Sequence, residues 1–254
     1  MAGDEPPVHT LRPTTRFAGR AEDYAAHRPS YPSEAVDAIV DGLDLHLAVD
    51  VGAGTGIFSR LLAARGVPVV AIEPNADMSA AAEVASGIDW REGTAERTGL
   101  AECCADLVSC AQAFHWFEPT TALDEFHRIL RPGGRLALIW NTRQRDDPVG
   151  QAYFDAILAV GGDSNVGKRS FDAGCIERPE LFTPFRRTSV AHEHRLDRDG
   201  LLGRALSISY CPRSDDTVVA LRAHIDEVID RFGDTHGVVS MRYETVVYRC
   251  ERRV

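Results

Sequence analysis

Along the first 140 residues the apolar positions switch repeatedly between two periods. Short, nearly continuous apolar runs at 47–51, 67–73 and 106–111 have the length and β-branched content of buried strands. Between them the apolar residues fall at helical spacing. Ala35, Val36, Ile39, Val40 and Leu43 give one face of a helix that Ser33, with Asp37 nearby, can open, and 58–65, 76–86 and 121–130 repeat the pattern. Further strands are predicted near 88–92 and at 135–140, the latter after a Pro132-Gly133-Gly134 turn. Strand and helix in regular alternation predict a parallel sheet covered by helices. Residues 1–16 read as a loose polar tail and 17–27 as a helical segment that stops at Arg28-Pro29-Ser30-Tyr31-Pro32. Beyond Asn141 the signal weakens: a helix at 149–160, an exposed Gly/Ser/Asn loop at 161–167, a strand at 187–196, helices at 201–208 and 217–232, and a long last strand at 238–248.

Length and charge narrow the possibilities. A chain of 254 residues that is 44% hydrophobic can bury one large core with a smaller cover. Its net charge of −10 and lack of a Lys/Arg block argue against a nucleic-acid partner. No stretch reaches membrane-spanning length, the first 20 residues hold no apolar leader, and the six cysteines show neither paired metal spacing nor the density of a disulfide framework. The expectation is a cytoplasmic protein with reduced thiols, without metal or membrane attachment, as monomer or homodimer.

The sharpest local signal is Val49-Asp50-Val51-Gly52-Ala53-Gly54-Thr55-Gly56, where a strand runs into a glycine-rich turn and a helix. Gly52 and Gly54 allow a tight turn with backbone close to a ligand. A dinucleotide fingerprint would be GxGxxG, but the third glycine here is Gly56 and position 57 is isoleucine, so the match is to GxGxG. About twenty residues on, Glu73 ends the second strand, where a carboxylate can accept both hydroxyls of a ribose.

Taken with Ile72-Glu73-Pro74 and Arg131-Pro132-Gly133-Gly134, this segment resembles the class I S-adenosylmethionine-dependent methyltransferases over about the first 140 residues. Tyr24-x-x-x-Arg28-Pro-x-Tyr-Pro32 and Ala111-Gln-Ala-Phe-His-Trp-Phe117 narrow the likeness to the ubiquinone-type and trans-aconitate-type (methyltransferase type 11) group. The resemblance implies an α/β Rossmann-like, doubly wound, seven-stranded, mostly parallel sheet with an antiparallel last strand and a small cap. It divides the chain into an N-terminal tail and cap segment (1–32), a cofactor-binding core (33–141), and an acceptor-cap insertion with the strands that complete the sheet (142–254). It also implies that Gly52, Ala53 and Gly54 lie against the methionine portion of S-adenosylmethionine, Asp50 beneath its amino group, and Glu73 with Pro74 at the ribose. Met78 would flank the adenine; Thr94, Ala95 and Glu96 would edge it. Ala111, Gln112 and Ala113 would line the methionine side, and Tyr24 and Arg28 would close over its carboxylate. Many members of that family carry an aspartate where Thr94 stands, so the Thr94 hydroxyl or Glu96 would have to replace it.

His115 lies just past the fourth strand, where open parallel sheets hold ligands, with Phe114, Trp116 and Phe117 as a dry surround. His115 is the candidate general base for an acceptor that must lose a proton, and His115 and Trp116 are candidate acceptor contacts. The expected reaction is in-line transfer of the methyl group to a small molecule, with O-methylation of a carboxylate or hydroxyl favoured. Arg143, Arg145 and Arg204 could recognise an acidic acceptor, although each reads more naturally as a solvated surface residue. His192-Glu193-His194 suits strand surface better than a metal site because no third ligand converges on it. Two rival functions share these features: a cofactor-binding regulator without catalysis, and a nicotinamide-dependent oxidoreductase, against which the GxGxG spacing speaks.

Overall fold

A computed structural model describes residues 19–161 and 176–253. Two short helices come first, α1 (Ala21–His27) and α2 (Ser33–Val40). The alternating core follows as β1 (Ala48–Val51), α3 (Ile57–Ala63), β2 (Val69–Ile72), α4 (Ala76–Ala80), β3 (Ile88–Arg91), β4 (Ala105–Ala111), α5 (Pro119–Ile129) and β5 (Leu130–Arg143). The rest of the described chain adds α6 (Pro148–Ala159), β6 (Arg186–Leu196), α7 (Arg198–Leu206), α8 (Asp215–Phe232) and β7 (Val239–Glu251). The predicted loop at 161–167 lies outside the described residues after position 161.

All seven strands form one sheet in the order β3-β2-β1-β4-β5-β7-β6. Pairing is parallel from β3 through β5, and β7 inserts antiparallel to both β5 and β6. β1 and β2 are buried at every position, which accounts for their unbroken apolar runs. One face of the sheet packs against α5 through Leu123, Phe126 and Ile129, the other against α2 and α3 through Val36, Ile39, Phe58 and Leu62. A third cluster joins α6, α7 and α8 to β7 around Tyr153, Leu201, Ile225 and Tyr243. Among the described residues no helix is long and apolar enough to cross a membrane.

Three local expectations need correction. The helix predicted over 76–86 ends at Ala80, because Val84 is 99% exposed and finds nothing to pack against, and a short helix without tertiary contacts is marginal. The Pro132-Gly133-Gly134 turn does not precede β5 but interrupts it: Leu130 pairs with Ala105 and Arg135 with Leu107, so the residues between loop out of the ladder. Ser33 does not cap its helix; Pro32 occupies that position and Ser33 is the first helical residue.

Candidate active site

The order of the first five strands reverses between β1 and β4, and the crevice at the carboxyl ends of neighbouring strands there is the ligand position of such sheets. A cavity of about 350 Å³ opens at that place. Gly52 and Gly54 of the turn after β1 line it, with Glu73, Pro74, Asn75 and Met78 after β2. Gly93, Thr94, Ala95 and Glu96 after β3, and Ala111, Gln112, Ala113, Trp116, Phe117 and Glu118 after β4, complete three sides, and Tyr24 of α1 closes over it.

The glycines are there for different reasons. Gly52, at φ +68°, turns the chain straight after β1, and a Cβ on it would stand 2.7 Å from the Cβ of Ala113. The segments after β1 and β4 therefore touch at a point where no side chain fits. Gly56, at φ +74°, caps α3 with its face against the Trp90 ring. Gln112 has a positive φ of 57° without being glycine; its amide nitrogen donates to the Asn141 carbonyl at 3.0 Å and holds that conformation.

Glu73 is fixed before any ligand arrives. One carboxylate oxygen accepts the Gly54 N–H at 2.8 Å and the other the Asn75 N–H at 3.0 Å. A carboxylate offers about four acceptor directions, so each oxygen keeps one for a ligand hydroxyl. Burial raises its pKa against the opposing pull of those two backbone donors. Asp50 lies deeper, with no exposed surface, accepting from Ser59 Oγ at 2.6 Å and Ser109 Oγ at 2.9 Å. Burial pushes it up to about 6 despite the two hydroxyls. It braces β1 against α3 and β4 and does not line the cavity.

Of the other expected site residues, Tyr24, Pro74, Met78, Thr94, Ala95, Glu96, Ala111, Gln112, Ala113 and Trp116 come together on the cavity wall, while Ala53, Arg28 and His115 stand outside it. Arg28 lies 4.5 Å over the Tyr24 ring and donates to the Ser207 hydroxyl and carbonyl at 3.0 and 3.1 Å. His115 accepts at Nδ1 from the Trp140 indole at 3.4 Å. Indole is only a donor, so the neutral imidazole carries its proton on Nε2. Burial and the nearby Arg28 charge push its pKa down to about 4, which keeps the ring neutral near pH 7.

Sequence reasoning missed Asn75, Gly93 and Glu118, and took Phe117 only as surround for His115. Asn75 was within reach, since an Asn just after a strand end and before a helical run is an N-cap signal, and its side chain does accept the Asp77 N–H. Arg204, read as solvated, is a correction: it is buried, because α7 packs between α1 and the β6–β7 edge, a convergence that local pattern does not encode. His192 stacks on Tyr243 and His194 packs against it edge-on, and among the described residues no group of side chains could hold a metal ion.

The lining fits S-adenosylmethionine and not a dinucleotide. Glu73, Glu96 and Glu118 border the cavity and, among the described residues, neither Lys nor Arg does, which suits a ligand with a sulfonium and an ammonium and opposes a pyrophosphate. Met78, Trp116 and Phe117 supply the apolar wall a nucleoside needs.

A family model described as a methyltransferase domain matches residues 49–138. An uncharacterized methyltransferase of Mycobacterium tuberculosis is 36% identical over 201 residues, covering 77% of each chain. A candidate type II methyltransferase structure from Anaeromyxobacter dehalogenans superposes with a TM-score of 0.63 over 89% of this chain and 97% of its own, at 23% identity. A phosphoethanolamine N-methyltransferase of Haemonchus contortus, solved with S-adenosylhomocysteine, shares the fold at a TM-score of 0.56 and 11% identity over 97% of this chain and 59% of its own. On a sheet whose switch point holds an acid-bordered cavity, a relative matched at that identity over that share of its length settles the affiliation: the chain belongs to the class I S-adenosylmethionine-dependent methyltransferases.

Proposed function

We propose that this methyltransferase acts on a small-molecule acceptor, with an oxygen of a carboxylate or hydroxyl as the favoured methylated atom. The observation that carries the reading is that Tyr24, Trp116 and Phe117 wall the cavity beside the glycine turn, an aromatic surround that suits a small molecule. The net charge of −10 points the same way, away from nucleic acid. A monomer or homodimer in the cytoplasm, with a tail and cap segment at 1–32, a cofactor-binding core at 33–141, and an acceptor-cap insertion with the strands that complete the sheet at 142–254, is the matching organisation.

Bound S-adenosylmethionine supplies an electrophilic methyl group. In this reading the remaining work belongs to the chain. The Glu73 oxygens accept from the ribose hydroxyls, Pro74 sits beside them, and Met78, Thr94, Ala95 and Glu96 surround the adenine. Gly52 and Gly54, with Ala111, Gln112 and Ala113, would hold the methionine portion, with Ala53 completing the turn from outside the cavity; Asp50 would stiffen the strand on the ammonium side, and Tyr24, backed by Arg28, would cover the carboxylate end. His115 cannot take a proton at Nδ1 while that atom accepts from Trp140, and its depressed pKa makes it a weak base. Its Nε2–H is instead a donor that orients the acceptor beside Trp116, so an acceptor already ionised at neutral pH needs nothing more. Incubation with labelled S-adenosylmethionine and a panel of small carboxylic acids, phenols and alcohols, read by mass spectrometry, tests this. A methylated acid or alcohol is expected; methylation restricted to protein or nucleic-acid substrates would refute it.

A further inference from the structure

A second group of polar side chains lies buried behind Arg28, apart from the cofactor cavity. Arg204 of α7 is 7% exposed, and among the described residues neither its Nε nor its Nη1 has a hydrogen-bond partner. Among the described residues no carboxylate forms an ion pair with it or with Arg28. The phenol oxygen of Tyr153, a residue with no exposed surface, also lacks a partner, as does Nδ1 of His194. These groups lie close together: Arg204 hydrogen-bonds to Tyr243 and interacts with Tyr153, and His194 packs edge-on against the Tyr243 ring at 6.4 Å.

Native interiors satisfy buried polar atoms, and an unpaired buried guanidinium is among the costliest exceptions. Four orphaned atoms on three neighbouring side chains are therefore not scattered packing defects. The set is two nitrogens of a cation, a phenol and an imidazole, with a second guanidinium beside them, and what it lacks is an anion. It is also joined to the cofactor cavity. Arg28 stacks on Tyr24, which lines that cavity, and bonds to Ser207, whose hydroxyl donates to the Arg204 carbonyl at 2.7 Å.

We infer that Arg204, Tyr153 and His194 form a subsite for an anionic group of the methyl acceptor, a carboxylate or another small oxyanion. The assignment rests on the reading of the acceptor as a small molecule, and it adds where that molecule's charge is held and by which donors. Arg204 supplies N–H donors at Nε and Nη1, on two edges of its guanidinium, Tyr153 an O–H, and Arg28 the long-range charge.

The test measures anion binding, not turnover. The full chain saturated with S-adenosylhomocysteine is melted in rising sodium acetate or sodium sulfate, with sodium chloride holding ionic strength constant. Acetate or sulfate should raise the melting temperature in a saturable way, and whichever does so identifies the oxyanion geometry preferred. Arg204→Met should weaken that binding at least about tenfold, the loss expected for one charge-assisted hydrogen bond, while leaving S-adenosylhomocysteine affinity unchanged. Should that variant not fold, Tyr153→Phe, which removes only the orphaned hydroxyl, should still weaken anion binding by about threefold or more on the same scale. No response of the wild type to either anion, or equal responses in the wild type and the folded variants, overturns the subsite. Methylation of a macromolecule alongside an Arg204-dependent anion response would instead overturn the small-molecule reading and leave the subsite standing.

Discussion

Replacing Glu73 with alanine separates a ligand effect from a structural one. In the protein each Glu73 oxygen accepts one backbone N–H, from Gly54 at 2.8 Å and from Asn75 at 3.0 Å. Each has one further direction open toward the cavity, for two ribose hydroxyls in all. Hydrogen bonds to a charged group are worth about 1.5–3 kcal/mol each, and partial exposure lowers the pair to about 2–4 kcal/mol. At 1.4 kcal/mol per decade that is roughly 30- to 700-fold in the Kd for S-adenosylhomocysteine. The structural cost is smaller, because water reaches the abandoned N–H groups: about 1–2 kcal/mol, or a drop of about 2–8 °C in Tm for a chain of this size. Glu73→Gln keeps one acceptor oxygen and turns a donor toward one of the backbone donors, so it should fall between the wild type and alanine in both measurements. Calorimetric titration with S-adenosylhomocysteine gives the first quantity and thermal melting the second. An alanine variant that binds within about threefold of the wild type, well under the cost of one lost charged hydrogen bond, would refute the ribose assignment.

Gly52→Ala combines a left-handed backbone with a Cβ set 2.7 Å from Ala113, so it should destabilise by about 2–5 kcal/mol and weaken cofactor binding as the turn shifts, read by melting and titration. His115 should titrate near its depressed pKa of about 4 when followed by NMR, against an ordinary value near 6.5; a midpoint above 6 would contradict the buried, Trp140-bonded ring. Because the folded pKa is the lower one, His115 contributes stability above pH 6.5 that is lost as pH falls toward 4, whereas Asp50, raised to about 6, contributes stability at low pH that is lost as pH rises through 4 to 6. His115→Ala should remove the first slope and Asp50→Asn the second in melts between pH 4 and 7. Trp140→Phe deletes the indole donor to His115 and frees the tautomer; turnover should fall by about tenfold, the worth of one modest hydrogen bond, with S-adenosylhomocysteine affinity unchanged, and a change in affinity alone would place the pair on the cofactor side.

The cofactor end of the fold was legible because its determinants are contiguous. A buried strand runs directly into its glycine turn, and the acid ends the very next strand, so period and turn chemistry suffice to read them. The short α4 was not legible, since an alanine-rich run with good helix propensity says nothing about whether Val84 will find a surface to bury against. The interruption of β5 was half visible: Pro132-Gly133-Gly134 announced a turn, but only the pairing of Leu130 with Ala105 shows strand on both sides of it. The aromatic run after β4 singles out His115, but neither its place outside the cavity nor its tautomer is readable there, because the Trp140 indole that sets the tautomer arrives from β5. Arg204 shows the limit most clearly. It was read as surface, and its burial depends on α1, α6, α7 and β7 meeting, contributions from segments more than 150 residues apart.

The placing of β7 also bears on how the molecule is put together. It is the last strand in the chain, yet it lies inside the sheet, with β5 on one side and β6 on the other. The parallel strands β1 to β5 can pair as soon as they leave the ribosome, whereas β6 has no neighbour until the final segment slots in beside it. The half that lines the cavity is thus able to mature early, while the half that carries Arg204 waits on β7.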